Sequence, residues 1–223
     1  MNDLLHRAEV FARHRHEGQT RKGAALEPYT VHLEEVVFLV HSWGGADGEI
    51  AAAWLHDTVE DCPPTSIADI ADAFGHDIAA IIAELTDDKR LPKVDRKRLQ
   101  IENAPKKSPS ASIVKIADKC SNVGAIMTSP PAGWSLERRF EYLHWARAVV
   151  AGLPHKPAAA IIEFDRRCAS LEAALAEHGI VNIGWVPDSL IFKARTRRLR
   201  RVRRRRGMYL RICRSGLRCG ASP

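Results

Sequence analysis

The sequence predicts an all-α helical bundle with a basic C-terminal tail. Two observations carry that reading. No run of six or more residues alternates strictly between apolar and polar side chains, the period a half-buried strand needs. Up to Gly179, apolar residues instead recur at helical spacing, and Gly, Pro and Ser/Asp residues stand where helices stop and start.

Taken in order, Leu4, Ala8, Phe11, Ala12 and Arg15 give the i, i+4, i+7, i+8 pattern of an amphipathic first helix. A loop follows from Gly18 to Pro28. A second helix is expected from about Tyr29 to Ser42, with Val36, Val37, Leu39 and Val40 toward the core and Gly44-Gly45 as its stop. Asp47 reads as the N-cap of a third helix, Glu49 to about Glu60, ended by Pro63-Pro64. Ser66 and Asp69 have capping-box spacing and open Ile67–Phe74; Gly75 separates that helix from Ile78–Leu85. After Pro92 comes a charged helix, Lys93–Asn103, then Ser110–Met127, whose apolar face runs through Ile113, Val114, Ala117, Cys120 and Val123. Ser135 caps a helix to about Val150. Pro157 fits the first turn of a last helix reaching His178.

Beyond Gly179 the composition changes, and a boundary is set there: residues 1–179 form one domain, 180–223 an extension. Residues 180–223 hold twelve Arg and one Lys against one Asp, a net +12, while the whole chain is +7. The first 179 residues therefore carry −5, which argues against a globular domain built to grip nucleic acid. The run Arg195–Arg206 has no interleaved aromatic residue; it is expected to be poorly ordered and to bind polyanions non-specifically. Leu4 and Leu5 are followed at once by His6 and Arg7, so no signal peptide is read, and no apolar stretch is long enough to span a membrane. Five scattered cysteines without a CxxC pair fit reduced thiols and a cytoplasmic protein.

His56-Asp57 carries the chemistry. The dipeptide lies among Ala51, Ala52, Ala53, Trp54, Leu55 and Val59, where an ionised Asp costs several kcal/mol to bury without compensation. A divalent cation compensates, because it accepts both a neutral imidazole and a carboxylate. A His-Asp pair alone is common by chance; its weight comes from its company. His32 opens the second helix and Asp118 sits mid-helix among apolar residues, so His32, His56, Asp57 and Asp118 would make a shell of two imidazoles and two carboxylates from three helices. That mix suits Mn2+ better than a closed thiolate zinc site, with iron or zinc as alternatives. Glu60 and Asp61 follow the pair at i+4, on the same face of the expected helix, and are the candidate acceptors for a proton from an attacking water. On the substrate side, Arg21 and Lys22 form a loop cation pair just before His32. Lys89 ends a Thr-Asp-Asp-Lys segment, Asn122 lies one turn after Asp118, and Arg138 and Tyr142 make an i, i+4 pair suited to phosphate and to ribose or base.

These residues lie in segments that resemble a known family. HEGQTRKGAALEPYTVH (16–32), AAAWLHDTVED (51–61), ELTDDKRLPKVDRKRLQIENAP (84–105), ASIVKIADKCSNV (111–123) and GWSLERRFEYLHWARAVVAGL (133–153) are similar, in order and spacing, to the HD-type hydrolase domain of RelA/SpoT homologues. The likeness is greatest to the small alarmone hydrolases of the metazoan SpoT homologue type and covers about residues 3–178.

The resemblance implies an HD-domain bundle and Mn2+ held by His32, His56, Asp57 and Asp118. It makes Glu60 and Asp61 the pair that positions and activates water. Arg21, Lys22, Asn122 and Tyr142 become nucleotide contacts, and Lys89 and Arg138 phosphate or nucleotide contacts. The implied reaction removes the 3′-diphosphate of ppGpp or pppGpp as pyrophosphate, leaving GDP or GTP and ending the stringent-response signal. Val123 departs from the Leu often found after the Asn, and the 44 residues after 179 are too few for a synthetase domain, so a hydrolase alone is expected. Two alternatives stand beside this reading: an HD phosphohydrolase acting on another nucleotide such as NADPH, and a polyanion- or ribosome-binding protein acting through its Arg-rich tail.

Overall fold

The structure is a computed structural model and describes residues 3–178. Within them are ten α-helices: α1 Asp3–Arg15, α2 Thr30–Ser42, α3 Asp47–Leu55, α4 Thr58–Asp61, α5 Ile67–Phe74, α6 His76–Leu85, α7 Lys93–Asn103, α8 Pro109–Thr128, α9 Leu136–Gly152 and α10 Ala158–Glu177, with a 3-10 turn at Ala104–Lys106. Among the described residues β-pairing is limited to isolated bridges, Thr20 with Pro28 and Gly23 with Pro131. The expected all-α class is the observed one. The Arg-rich extension read from residue 180 onward lies outside the described residues.

The bundle is built around α8. Residues on every side of this helix are buried, among them Val114, Ile116, Ala117, Cys120 and Val123, because α2, α3, α6, α9 and α10 all pack on it. A helix enclosed all round reads as apolar at most positions, so the polar residues it does bury (Lys115, Asp118, Lys119 and Ser121) need partners. Ser108 starts α8: its hydroxyl accepts from the Ala111 amide, and Pro109 occupies the first helical position, where no N–H is missed. The Ser66–Asp69 capping box forms as read, with the Ser66 hydroxyl accepting from the Asp69 amide and the Asp69 carboxylate accepting from the Ser66 amide. Ser135 caps α9 by accepting from the Arg138 amide. Gly44, with φ +81°, closes α2 in the left-handed region that side chains avoid.

Three expectations are corrected. Asp47 is the first residue of α3 rather than its cap; Ala46 holds the cap position, and the Glu49 carboxylate accepts the Ala46 amide. Pro157 caps α10 rather than entering its first turn. Of most consequence, the helix expected from Glu49 to Glu60 is interrupted at His56 and Asp57. Two side chains compete with the backbone there. His56 Nδ1 donates to the Ala53 carbonyl at 2.8 Å, and the Thr58 hydroxyl donates to the Leu55 carbonyl at 2.7 Å. The chain tightens at Asp57 (φ −104°, ψ −4°) and resumes as α4. The break turns the His-Asp pair inward while Glu60 and Asp61 stay one turn away.

Candidate metal centre

Two helices, α2 and α8, and the break after α3 converge four polar side chains inside the bundle. His32 and His56 face each other with Nε2 atoms 3.2 Å apart. Asp57 Oδ2 lies 3.1 Å from His56 Nε2 and 3.5 Å from His32 Nε2, and Asp118 Oδ1 lies 3.7 Å from His32 Nε2. His32, His56 and Asp118 are buried, and one ligand atom from each lies within 4.8 Å of the others. The donor chemistry suits a cation. Each imidazole has its Nδ1 engaged, His56 on the Ala53 carbonyl and His32 on Ser121 Oγ at 2.8 Å, which places both Nε2 atoms toward one another and toward carboxylate oxygens. Ring nitrogens and carboxylate oxygens so close are held together by a proton or a metal cation among them. The residues present therefore fit a divalent metal.

The surroundings keep the carboxylates charged. Burial opposes the charge of Asp57, yet His56 beside it and the hydrogen-bonded histidines outweigh burial and hold its carboxyl well below the ordinary range. Burial likewise opposes the charge of Asp118, but Lys119, 2.9 Å from Oδ2, and Lys115, at 3.8 Å, pull its pKa down. Desolvation lowers the pKa of His32 and so favours the neutral ring that a metal needs. For His56 desolvation acts the same way, but the charge of Asp57 overcomes it and the net shift is upward. The Tyr29 hydroxyl donates to Asp57 Oδ2 at 2.6 Å, while its ring stacks on the buried His16. Burial, followed by the charge of Asp57, raises the phenol pKa and keeps that proton in place.

Glu60 and Asp61 flank the centre. Glu60 Oε2 accepts from the Asp87 amide at 3.2 Å, and Arg96 lies 3.5 Å from Oε1. Burial first, then the charges of Asp57 and Asp87, raise the Glu60 pKa. Asp61 is paired with Lys89 and lies 3.4 Å from the Tyr29 hydroxyl. Lys89 therefore stands on the acidic pair and not apart from it.

The remaining expected residues lie on the loop after α1, on α8 and on α9. Arg21 Nη2 donates to Asn122 Oδ1 at 3.0 Å, and Asn122 Nδ2 donates to Asp118 Oδ1, so the loop cation is tied to a candidate ligand through one amide. Lys22 is exposed beside them. Gly23 is required by a close approach: a Cβ there would come 2.2 Å from Ser129 Oγ and 2.5 Å from the Ser129 carbonyl. That contact, with the Ala132 amide donating to the Lys22 carbonyl, pins the loop against the α8–α9 connection. Arg138 donates to Glu141 and lies over the Trp134 ring. Tyr142 is packed between Trp134 and Trp145, with Lys97 over its ring. Its ring is thus packed against two indoles and an ammonium group, which leaves less of it free for the ribose or base contact read from the sequence.

Sequence reasoning missed several further residues. Lys93 lies close enough to Arg138, Lys22 and Arg96 that, after burial, their charges lower its pKa. Four cations from the loop, α7 and α9 thus act on one another, and Arg96 among them reaches Glu60. Trp134 carries both Lys93 and Arg138 over its ring. The i, i+3 spacing of Lys93 and Arg96 was the available signal, and a charged helix disguised it. Tyr29, three residues before His32, was likewise visible only as a helix boundary.

Comparison with known proteins agrees with this geometry. A family model described as an HD domain matches residues 8–140. A Xenopus tropicalis protein named guanosine-3′,5′-bis(diphosphate) 3′-pyrophosphohydrolase MESH1 is 45% identical over 152 residues, 67% of this chain and 84% of its own length. The Homo sapiens protein of the same name is 44% identical over the same shares. A solved structure, described as a metazoan orthologue of SpoT that hydrolyses ppGpp and plays a role in starvation responses, superposes with a TM-score of 0.72 at 35% identity, covering 76% of this chain and 96% of that one. The chain belongs to the HD-domain family, in its MESH1-type branch.

Proposed function

We propose that this protein is a metal-dependent hydrolase that removes the 3′-diphosphate of ppGpp or pppGpp as pyrophosphate, leaving GDP or GTP. The carrying observation is the convergence of the His32 and His56 imidazoles with the carboxylates of Asp57 and Asp118, with Arg21 tied to Asp118 through Asn122. The relatives that share the fold carry the matching name.

His32, His56, Asp57 and Asp118 would hold the metal, and Mn2+ suits that imidazole–carboxylate mixture with open positions. Bound there, the metal supplies Lewis acidity toward a phosphoryl oxygen and lowers the pKa of a bound water. Glu60, its pKa raised, takes the proton of the attacking water, and Asp61 orients that water. Arg21 and Lys22 meet the phosphates at the cleavage point. Asn122, fixed between Arg21 and Asp118, meets the ribose. Lys89 and Arg138 offset charge as it moves to the leaving oxygen. Tyr142 shapes the base side. The three described cysteines, Cys62, Cys120 and Cys168, are unpaired and buried, which supports work in the reducing cytoplasm. None of the described helices is long and apolar enough to cross a membrane.

The test is release of pyrophosphate from ppGpp and pppGpp, and of inorganic phosphate from NADPH, by purified full-length protein, with and without Mn2+. Release of pyrophosphate from a guanosine substrate only with metal is the expected result. Activity on NADPH alone, or equal turnover after metal is stripped, would refute the assignment.

A further inference from the structure

The two histidines of the centre are oriented by different means. His56 uses the carbonyl of Ala53 from its own helix. His32 is oriented by a chain of side chains from three helices. Its Nδ1 lies 2.8 Å from Ser121 Oγ; Ser121 Oγ lies 2.6 Å from Glu35 Oε2; and Glu35 Oε1 accepts from Arg167 Nη1 at 2.5 Å. Arg167 is itself held by Glu163 at 2.6 Å and by the Cys120 carbonyl at 3.0 Å. A Cβ on Gly124 would come 2.9 Å from Arg167 Nη1, so that glycine makes room for the guanidinium.

The direction of each proton follows from the groups. A guanidinium only donates and an ionised carboxylate only accepts. Glu35, with Arg167 and Ser121 bound to it, is ionised, so the single Ser121 proton goes to Glu35. The Ser121 oxygen then accepts, and the only donor His32 can offer is Nδ1–H. The Nε2 lone pair is left facing His56, Asp57 and Asp118.

We propose that Ser121, Glu35 and Arg167 are positioning residues that lock the Nδ1–H tautomer and ring orientation of His32, and thereby set the divalent-metal affinity of the centre. The inference rests on the metal-centre reading above. Outer partners of ligating histidines of this kind typically change metal affinity 10–100-fold when removed. Because Arg167 lies on α10, the relay also makes the last described helix a determinant of metal binding, although that helix supplies no ligand.

Two measurements on the full chain test it. Nitrogen NMR of 15N-histidine-labelled, metal-free protein reads the tautomer of His32 directly; Nδ1–H is expected, and an Nε2–H ring in the wild-type protein would overturn the proposal without any variant. Mn2+ affinity, read by competition with a fluorescent chelator, should fall about 10–100-fold in Ser121→Ala and in Glu35→Gln. Ser121→Thr, which keeps the hydroxyl, should restore it. Glu35 touches none of the residues assigned to substrate, so its effect should appear in metal affinity and leave KM at saturating metal unchanged. Wild-type affinity in folded Glu35→Gln and Ser121→Ala would overturn the relay. A wild-type protein that bound no Mn2+ would refute the metal reading instead, and the tautomer would still decide the relay.

Discussion

Asp57 is the carboxylate that both imidazoles approach. It is set in a turn by the break after α3 and hydrogen-bonded by Tyr29. Glu60, one turn on, touches none of the four candidate ligands through a hydrogen bond and has its pKa raised by burial and neighbouring carboxylates. The two acids should separate on mutation. Asp57→Ala is expected to lose bound metal and turnover together. Glu60→Gln should retain metal and lose about 10²–10⁴-fold in rate, the range for a general base. Metal analysis beside a pyrophosphate-release assay distinguishes them, and equal metal loss in both would contradict the division of roles. A pH dependence follows as well. Glu60 must be ionised to accept a proton, so the rate falls as pH drops through its pKa; because that pKa is raised from 4.5, the acidic limb of the kcat profile should lie above 4.5. A residual Glu60→Gln rate that kept the same limb would assign it to another group.

At the scale of the element, α10 shows how a helix without a proposed ligand supports the site. The Glu163 carboxylate, bound by Arg166 and then by Arg167, has its pKa lowered to about 2 from 4.5. A depressed carboxyl contributes stability that is fully present above its unfolded value and is lost as pH falls through the folded one. The melting-temperature difference between wild type and Glu163→Gln should therefore be constant above pH 4.5 and shrink between 4.5 and about 2. A difference independent of pH would show that the carboxylate charge contributes nothing.

Elements also show what the sequence could reveal. Caps and stops were legible because they are local: Ser66 with Asp69, Ser135, Gly44 and the bounds of α7 follow from the neighbouring residues alone. The continuous helix through His56 was misread, since Ala51–Leu55 favours helix and the competing bonds of His56 and Thr58 exist only once the chain turns. The ligand candidates stood out as charged or titratable groups among apolar ones. Ser121, Glu35 and Arg167 did not, because a serine, a glutamate and an arginine on three helices become a relay only through packing.

For the whole molecule, enclosure of α8 by five helices is what gives the centre its low-dielectric setting. Lys115, Asp118, Lys119 and Ser121 are buried there and pair with one another or with groups on neighbouring elements, and α8 carries Asp118 and Asn122 one turn apart, joined by a hydrogen bond. This organisation lies wholly within residues 3–178, so the proposed chemistry calls on no residue of the Arg-rich extension. Removing residues 181–223 should leave kcat and KM for ppGpp unchanged, while any non-specific binding to polyanions should be lost. A fall in kcat in the shortened chain would give the extension a part in catalysis.

The most direct measurement is the location of Mn2+ by anomalous diffraction from a crystal of the metal-loaded protein. A single strong peak bonded to His32 Nε2, His56 Nε2 and carboxylate oxygens of Asp57 and Asp118 is the expected result. A peak bonded to side chains from only one of these helices, or one lying away from the His56-Asp57 turn, would contradict the convergent centre on which the proposed activity depends.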